Sequence, residues 1–554
     1  MIYTNKYKSN QTMKINKILF IDIFEKNTWI DEAVGMGSIS AVLREHGYET
    51  KLVAYKEEKI DYDEISSFNP DFIGFSIHQR IIDAVKTVCE RIVSLLPNTY
   101  LTLGGYLPTN NPEELMTSIP YINFIIRGEG EYTTLDLINT INNEKSLAGV
   151  DGITYRLNNN IVHNKNRNTI DDLDELPFPD RDILIKHNIH VARVEGARGC
   201  TSTCSFCSIH GFWSNAHSKE CKNWRSKSVA RFVDEIQYIV KEYNINRFHF
   251  LDSSFENPYL NSDRISNIAK EILARNLNIT YYINMRADFH KIASEELLTL
   301  MIASGVNTIF IGVESFNSDD LKIFNKIATI DDAVKTIEVL KKFNIEVDLG
   351  LINFHPYSSL QGLRTNAYML GKYGFASRLL IRNRLMVFKG TPIYDKIKND
   401  NLLVGKYSDL REYLFVDKKV AIINTFLNSY MNNIKNSGSI LLKLDTYVTR
   451  HISLIIHLKH YFNMCKDESA FQIVVDYEKK VRSILDDLNN RNTKWFLELV
   501  DLMENRWFED AAMNIMNKYI SKEHLDNTIV KFNKINLILF NNLLKINKDY
   551  ANLL

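Results

Sequence analysis

The chain has 554 residues, which at about 150 residues per domain points to three or four folded units. Lys and Arg total 67 and Asp and Glu total 67, so no whole-chain positive field exists to hold a polyanion, which argues against a dedicated nucleic-acid binder. Hydrophobic residues at 45% and charged residues at 24% are globular proportions, and wholesale disorder is excluded.

Lysines precede the first apolar run, 18–23, which Asp22 interrupts and no small-residue cleavage site follows. The run reads as a first β-strand and not as a signal peptide. No stretch of about eighteen uncharged apolar residues follows, so no membrane span is expected. Further short apolar runs at 52–55, 72–77, 100–103 and 124–126 fit buried parallel strands. Between the third and fourth lies a helical stripe of Ile81, Val85, Val88, Ile92 and Leu96; Cys89 shares that face and reads as a core thiol. Residues 1–145 are therefore expected to form a doubly wound α/β domain with a parallel sheet, its ligand beyond the carboxyl ends of the strands. Glycine turns at Gly104-Gly105 and Gly128-Glu129-Gly130-Glu131 stand at such ends, where a bare backbone lets a large ligand approach.

Residues 146–188 read as a connector, with the hairpin GITYRLNNNIVH followed by DDLDELPFPDR. Strand patterns resume over 189–400, at 190–194, 248–251, 280–283, 308–312, 347–352 and 379–388, each expected to be followed by a helix. Six β/α units suggest a partial barrel with its active site at the carboxyl ends of the strands. Beyond residue 400 glycine and proline thin out. Long amphipathic patterns such as 438–465 and 494–519 predict an all-helical region over 401–554.

The strongest chemical signal is GARGCTSTCSFCS, in which Cys200, Cys204 and Cys207 have C-x3-C-x2-C spacing. Three thiolates on one loop can hold three irons of a [4Fe–4S] cluster and leave the fourth open to an outside chelate. The alternative is a zinc site completed by Cys221 or His210, although zinc motifs usually pair CxxC with CxxC or HxxxH. Six cysteines, three of them within eight positions, do not make a disulfide framework. Reduced thiols and a cytoplasmic location are expected.

This loop, with Phe206 before its last cysteine, resembles that of the radical S-adenosylmethionine (SAM) enzymes. The resemblance implies that the open iron binds SAM, that one electron cleaves it to a 5′-deoxyadenosyl radical, and that the six-unit barrel is the family fold. It continues at Asp252 in FHFLDSSF, Arg286 in YINMRAD and Glu314 in IFIGVES, followed by LKIFNKIAT. Arg286 would then pair with the SAM carboxylate through its planar guanidinium. Glu314 and Asp252 would accept hydrogen bonds from the SAM amine or ribose. Where relatives often carry a Gly-x-Pro-Gly turn this chain has LINFHPYSS, so geometry near His355 is expected to differ.

The order GFSIHQ, LGGYLPT, IIRGEGEYTTLDLI and DLDELPFPDR is similar to the cobalamin-binding domain of the cobalamin-dependent radical SAM family, and the likeness covers about residues 15–395. It implies cobalamin contacts at Ser76, Gly104, Gly105, Gly128, Glu129 and Gly130. Many such domains carry Asp-x-His-x-x-Gly after the first strand, but here the place reads DIFEKNTW. His46 fits a helix cap, and His78 is off the motif's spacing. The cobalt is thus expected to lack a histidine lower ligand.

The resemblance to the class B methyltransferases of this family implies methylation of an unactivated carbon, or phosphorus, of a specialised metabolite or peptide, through methylcobalamin and the 5′-deoxyadenosyl radical. The alternative keeps both cofactors for a cyclisation, rearrangement or ring contraction. A methylthiotransferase would need three more cysteines in its first domain, where only Cys89 occurs. A non-catalytic cobalamin sensor would leave the barrel pattern unexplained. Cys221 is a candidate hydrogen-atom donor, and Cys465 reads as packing. The helical region is expected to cover the barrel's open side and enclose substrate, with peptide docking as the alternative. Expected partners are a small-molecule or peptide substrate and a one-electron donor such as flavodoxin or ferredoxin, with no nucleic acid and no membrane.

Overall fold

In the computed structural model the described residues are 14–553, apart from 27, 159, 217–221, 257–260, 378, 406–409 and 434–437. The apolar runs of the first third pair side by side: β1 (Lys17–Phe24), β2 (Glu49–Lys56), β3 (Phe72–Ser76), β4 (Tyr100–Gly104) and β5 (Phe124–Ile126) form a parallel sheet in the order β2-β1-β3-β4-β5. Alternate side chains point to opposite faces of a strand. Leu19, Ile21 and Ile23 accordingly pack against Val85, Val88 and Ile92, while Ile18 and Phe20 pack against Val42, Leu43 and Leu137. Cys89 is fully buried in the first of these layers, as its position in the stripe predicts.

The hairpin read as part of a connector is β6 (Ile153–Leu157) and β7 (Asn160–His163). It adds to β5 antiparallel and extends the first sheet to seven strands.

In the second unit β8 (Ala192–Val194) leads to a two-stranded antiparallel excursion, β9 (Ala197–Gly199) and β10 (Trp224–Ser226), with the cysteine loop between its strands. β11 (Arg247–Phe250), β12 (Thr280–Arg286), β13 (Val306–Glu314) and β14 (Glu346–Leu351) continue the parallel row from β8. The sixth unit takes its place beyond β14, but not as a full strand. Its first four residues form a 3-10 turn, Leu379–Arg382, and among the described residues its strand-like pairing is one isolated parallel bridge between Phe354 and Arg384. Leu385 N–H donates to the Phe354 carbonyl at 2.8 Å. The turn leaves too few extended residues for a ladder.

The last region is helical from residue 418, in helices Lys418–Asn433, Gly438–Cys465, Glu468–Asn505, Glu509–Ile520 and Lys522–Ile546, whereas its start carries an antiparallel bridge between Leu403 and Tyr413 in place of the expected helix. The stripe over 494–519 is divided between two helices at residues 506–508. One apolar core runs without interruption from the barrel helices through Val448, Leu485 and Trp495. Helix Gly438–Cys465 seats against the amino-terminal ends of the barrel strands, where Arg247 Nη2 donates to Ser453 Oγ at 3.2 Å and Arg482 Nη2 pairs with Glu346 at 2.7 Å. A cavity of about 270 Å³ remains between Tyr282, Asp348 and Ser453. The expected cover over the barrel's open side is thus a floor at the end remote from the cysteines. There Ser453 and Arg482 meet the charged starts of the strands, while Ile452, Ile455 and Leu458 are buried in the apolar core. Cys465, expected in packing, is exposed.

Candidate active site between sheet and barrel

A cavity of about 310 Å³ opens at the carboxyl ends of the first sheet. Ser76, Gly104, Gly105, Gly128, Glu129 and Gly130 all line it. The strands end here in residues without bulk. A Cβ built on Gly35 meets nothing within 4 Å, and one on Gly104 meets only the Ile126 carbonyl at 3.9 Å. Gly105 has a φ of +101°, which a side chain would strain. A bare floor of this kind suits the flat face of a broad macrocycle, so these residues fit the cobalamin that the sequence implies. Among the described residues no histidine lines the cavity. His46 Nδ1 lies 2.8 Å from the Val42 carbonyl at the end of helix Val34–Glu45, and His78 is exposed.

The other wall comes from the barrel: Glu195, Arg198, Phe212 and Trp213. Arg198 donates to Glu129 at 2.7 Å, Glu131 at 2.6 Å and Glu195 at 2.8 Å. Arg225, on the strand paired with β9, reaches both Glu129 oxygens at 3.1 Å, and its guanidinium lies 4.8 Å from the Trp213 ring centroid. Burial opposes charge on Glu131, but Arg198 holds the carboxyl below its ordinary range. Glu129 is therefore the node of an ion-pair cluster as well as a cavity residue.

The cysteine loop leaves β9 through Gly199, whose φ is +89°; a Cβ there would lie 2.0 Å from the Asn223 carbonyl oxygen. The segment after Glu314 clamps the loop from its far side. Ser205 N–H donates to the Phe324 carbonyl at 2.9 Å, Ser205 Oγ to Ile323 at 2.7 Å, and Asn325 Nδ2 to Thr203 at 2.9 Å. Phe206 packs edge-on to Phe324 at 5.3 Å, and Phe324 to the ring of fully buried His355 at 4.9 Å. His355 Nε2 lies 3.0 Å from Asp320 Oδ1, so LINFHPYSS buttresses the loop indirectly. Burial pushes the Cys204 thiol up to about 11, against the pull of Lys326. Among the described residues no three His, Cys, Asp or Glu side chains converge on a point that one metal ion could occupy. Thiols that each hold a different corner of a cubane need no such convergence. Cys221, read as a hydrogen donor or a zinc ligand, lies outside the described residues.

Arg286 and Glu314 stand where the sequence puts them, at the carboxyl ends of β12 and β13. Arg286 is held by Asp288 through Nε at 3.0 Å and Nη2 at 2.7 Å, and its backbone N–H donates to buried Glu256 at 2.7 Å. Glu314 has a left-handed φ of +67° at a register shift between β13 and β14. Its Oε1 lies 3.5 Å from Lys326 Nζ, and a Cβ on Gly312 would come within 2.7 Å of that oxygen. Asp252, expected beside SAM, has another use. It is 1% exposed, its Oδ1 accepts from Gly196 and Ala197 N–H at 2.7 and 3.0 Å, and its Oδ2 pairs with Arg264 at 2.8 Å. It secures the strand entering the cysteine loop.

Sequence reasoning missed Arg198, Trp213, Lys326 and Asp22. Arg198 and Lys326 lie inside motifs already singled out, GARGC and LKIFNKIAT, but neither residue carries a spacing signal of its own.

Comparison with known proteins adds four findings. Family models match a B12 binding domain over residues 32–138 and the radical SAM superfamily over 194–360. An uncharacterized methyltransferase of Pyrococcus horikoshii is 26% identical over 321 residues, 56% of this chain and 67% of its own length. The anaerobic magnesium-protoporphyrin IX monomethyl ester cyclase of Synechocystis is 29% identical over 276 residues, 48% of this chain and 53% of its own. The solved structure of OxsB, a cobalamin-dependent S-adenosylmethionine radical enzyme with aqua-cobalamin and S-adenosylmethionine bound, superposes with a TM-score of 0.67 at 18% identity, covering 97% of this chain and 81% of that one. At that identity the likeness is one of fold. No helix among the described residues is long and apolar enough to cross a membrane.

Proposed function

We propose that this chain, with a B12 binding domain matched over residues 32–138 and a radical SAM domain over 194–360, methylates an unactivated carbon or phosphorus centre of a small specialised metabolite or a peptide. One observation carries the reading: the glycine-floored cavity of the first sheet takes its second wall from the residues flanking the cysteine loop. Two cofactors held there would face a common space. When bound, the cluster with SAM supplies an organic radical and the cobalamin supplies the group to be transferred.

The chain's own residues divide the work. Cys200, Cys204 and Cys207 hold three corners of the cluster. Arg286, braced by Asp288, meets the SAM carboxylate, where a preorganised guanidinium loses little entropy on binding. Glu314, held against Lys326, accepts from the SAM amine. Ser76 and the glycines at 104, 105, 128 and 130 would bear the cobalamin face, in a cavity that no histidine lines among the described residues. An external one-electron donor completes the system. Asp252 is not carried forward as a SAM contact, because it is 1% exposed and its oxygens hold Gly196, Ala197 and Arg264.

The cyclase among the relatives supports a second reading, the same cofactors used without methyl transfer. The two part on products. The chain, reconstituted anaerobically with iron, sulfide and hydroxocobalamin, is given a low-potential reductant and SAM carrying a trideuterated methyl group. Methyl transfer predicts S-adenosylhomocysteine together with deuterium on the corrinoid. 5′-Deoxyadenosine without either product favours the second reading. Iron bound without cobalt refutes both.

A further inference from the structure

The cysteine loop is bracketed, on both sides along the chain, by residues that line the other cofactor's cavity. Arg198 precedes Cys200 by two positions, and Trp213 follows Cys207 by six on helix Ser208–Ala216. Arg198 is 9% exposed and its three carboxylate partners occupy both edges and the end of its fork. Two of those partners, Glu129 and Glu131, belong to the glycine turn that floors the cavity. Arg225 closes the circuit, paired with Glu129 on one side and lying over Trp213 on the other. Cavity floor, strand into the loop and helix out of it are thus one bonded ring.

We propose that the two cofactor sites are thermodynamically coupled through this ring, with Arg198 as the positioning residue: cobalamin seated on the glycine turn and Trp213 fixes both ends of the cysteine loop and so stabilises the iron–sulfur cluster. This rests on the reading above of what each site holds. A loop that must order around a metal loses conformational freedom when it does so, and a ligand that has already fixed the loop's ends removes part of that cost. Linkage makes the effect reciprocal, so the assembled cluster tightens cobalamin binding by the same factor.

The test uses the full chain under anaerobic conditions. Hydroxocobalamin affinity is measured by equilibrium dialysis on protein with and without a reconstituted cluster, and the rate at which a ferrous chelator bleaches the cluster is followed with and without hydroxocobalamin. In the wild type, cobalamin should bind from about five-fold to about a hundred-fold tighter when the cluster is present, the usual span of coupling between sites. Bleaching should slow when the cavity is filled. In Arg198→Gln the ratio of the two affinities should fall toward one even where each cofactor still binds, and Arg198→Lys should restore part of it. The ratio, not either affinity, is the readout, because Arg198 also lines the cavity. Equal affinities in the wild type overturn the proposal, and they do so even if the Gln variant fails to fold. No cobalamin bound in either form overturns the cobalamin reading itself, which cobalt counts separate from the first result.

Discussion

Towards the carboxyl end of β1, Asp22 faces the cavity from a strand that is otherwise apolar after Lys17. Burial pushes its carboxyl from 3.8 up to about 7, with Arg193 pulling it down and Asp31 pushing it further up. A raised acid stabilises the fold in its protonated form. Its contribution is therefore whole below about pH 4 and is lost as pH rises through about 7. A shift from 3.8 to about 7 corresponds to at most about 4 kcal/mol. Asp22→Asn, which cannot ionise, should match the wild type near pH 4 and exceed it in stability at pH 8. Urea denaturation at the two pH values checks this, and a variant less stable at pH 8 would mean that Asp22 serves the fold as a carboxylate. In the sequence Asp22 was legible only as a break in an apolar run. Its environment comes from burial in the folded unit and from charges such as Arg193, distant in the chain. The same holds for Asp252. Its type and place at a strand end suggested a ligand contact, but its partners Gly196, Ala197 and Arg264 are set by how β8 and β11 lie together.

The β9–β10 pair carries the cysteine loop, and its geometry depends on Gly199. The left-handed backbone alone would cost a side chain about 1–2 kcal/mol, and the Asn223 carbonyl at 2.0 Å from a built Cβ adds a steric term. Gly199→Ala should force the strands apart, lower the melting temperature and reduce the iron held after reconstitution. Gly47→Ala is the matched control, since Gly47 has a similar φ of +84° with nothing within 4 Å of its Cβ position. It should lose comparable backbone energy with no loss of iron. Elements with long apolar signals were legible from sequence, since burial on both faces leaves continuous runs. The sixth barrel segment was not, because its apolar residues serve a 3-10 turn and a single bridge as well as they would a strand.

On the scale of the whole molecule, buried ion pairs join the first sheet to the barrel. Arg181, at the end of PFPDR and 2% exposed, pairs with Glu32 from the first unit and, at 2.7 Å, with Glu235 on helix Val229–Tyr243. Removing one member of such a group leaves uncompensated buried charge, which costs about 3–5 kcal/mol. Arg181→Met should lower stability by that amount in chemical denaturation. Adding Glu32→Gln and Glu235→Gln should recover part of it. If the single change proves neutral, Arg181 does not join the two units energetically.

The amino-acid sequence by itself determined what is local. The cysteine spacing lies within eight residues, the apolar periods lie within single elements, and the glycine turns lie at strand ends; each survives in the chain whatever surrounds it. The tertiary structure alone decided which distant charges meet and which end of the barrel the helices cover. Arg198 finds Glu129 across 69 positions, and Arg181 finds Glu32 across 149. No period or motif encodes such a meeting, because burying an arginine demands a counter-charge, and only the packing of whole units determines which carboxylate arrives.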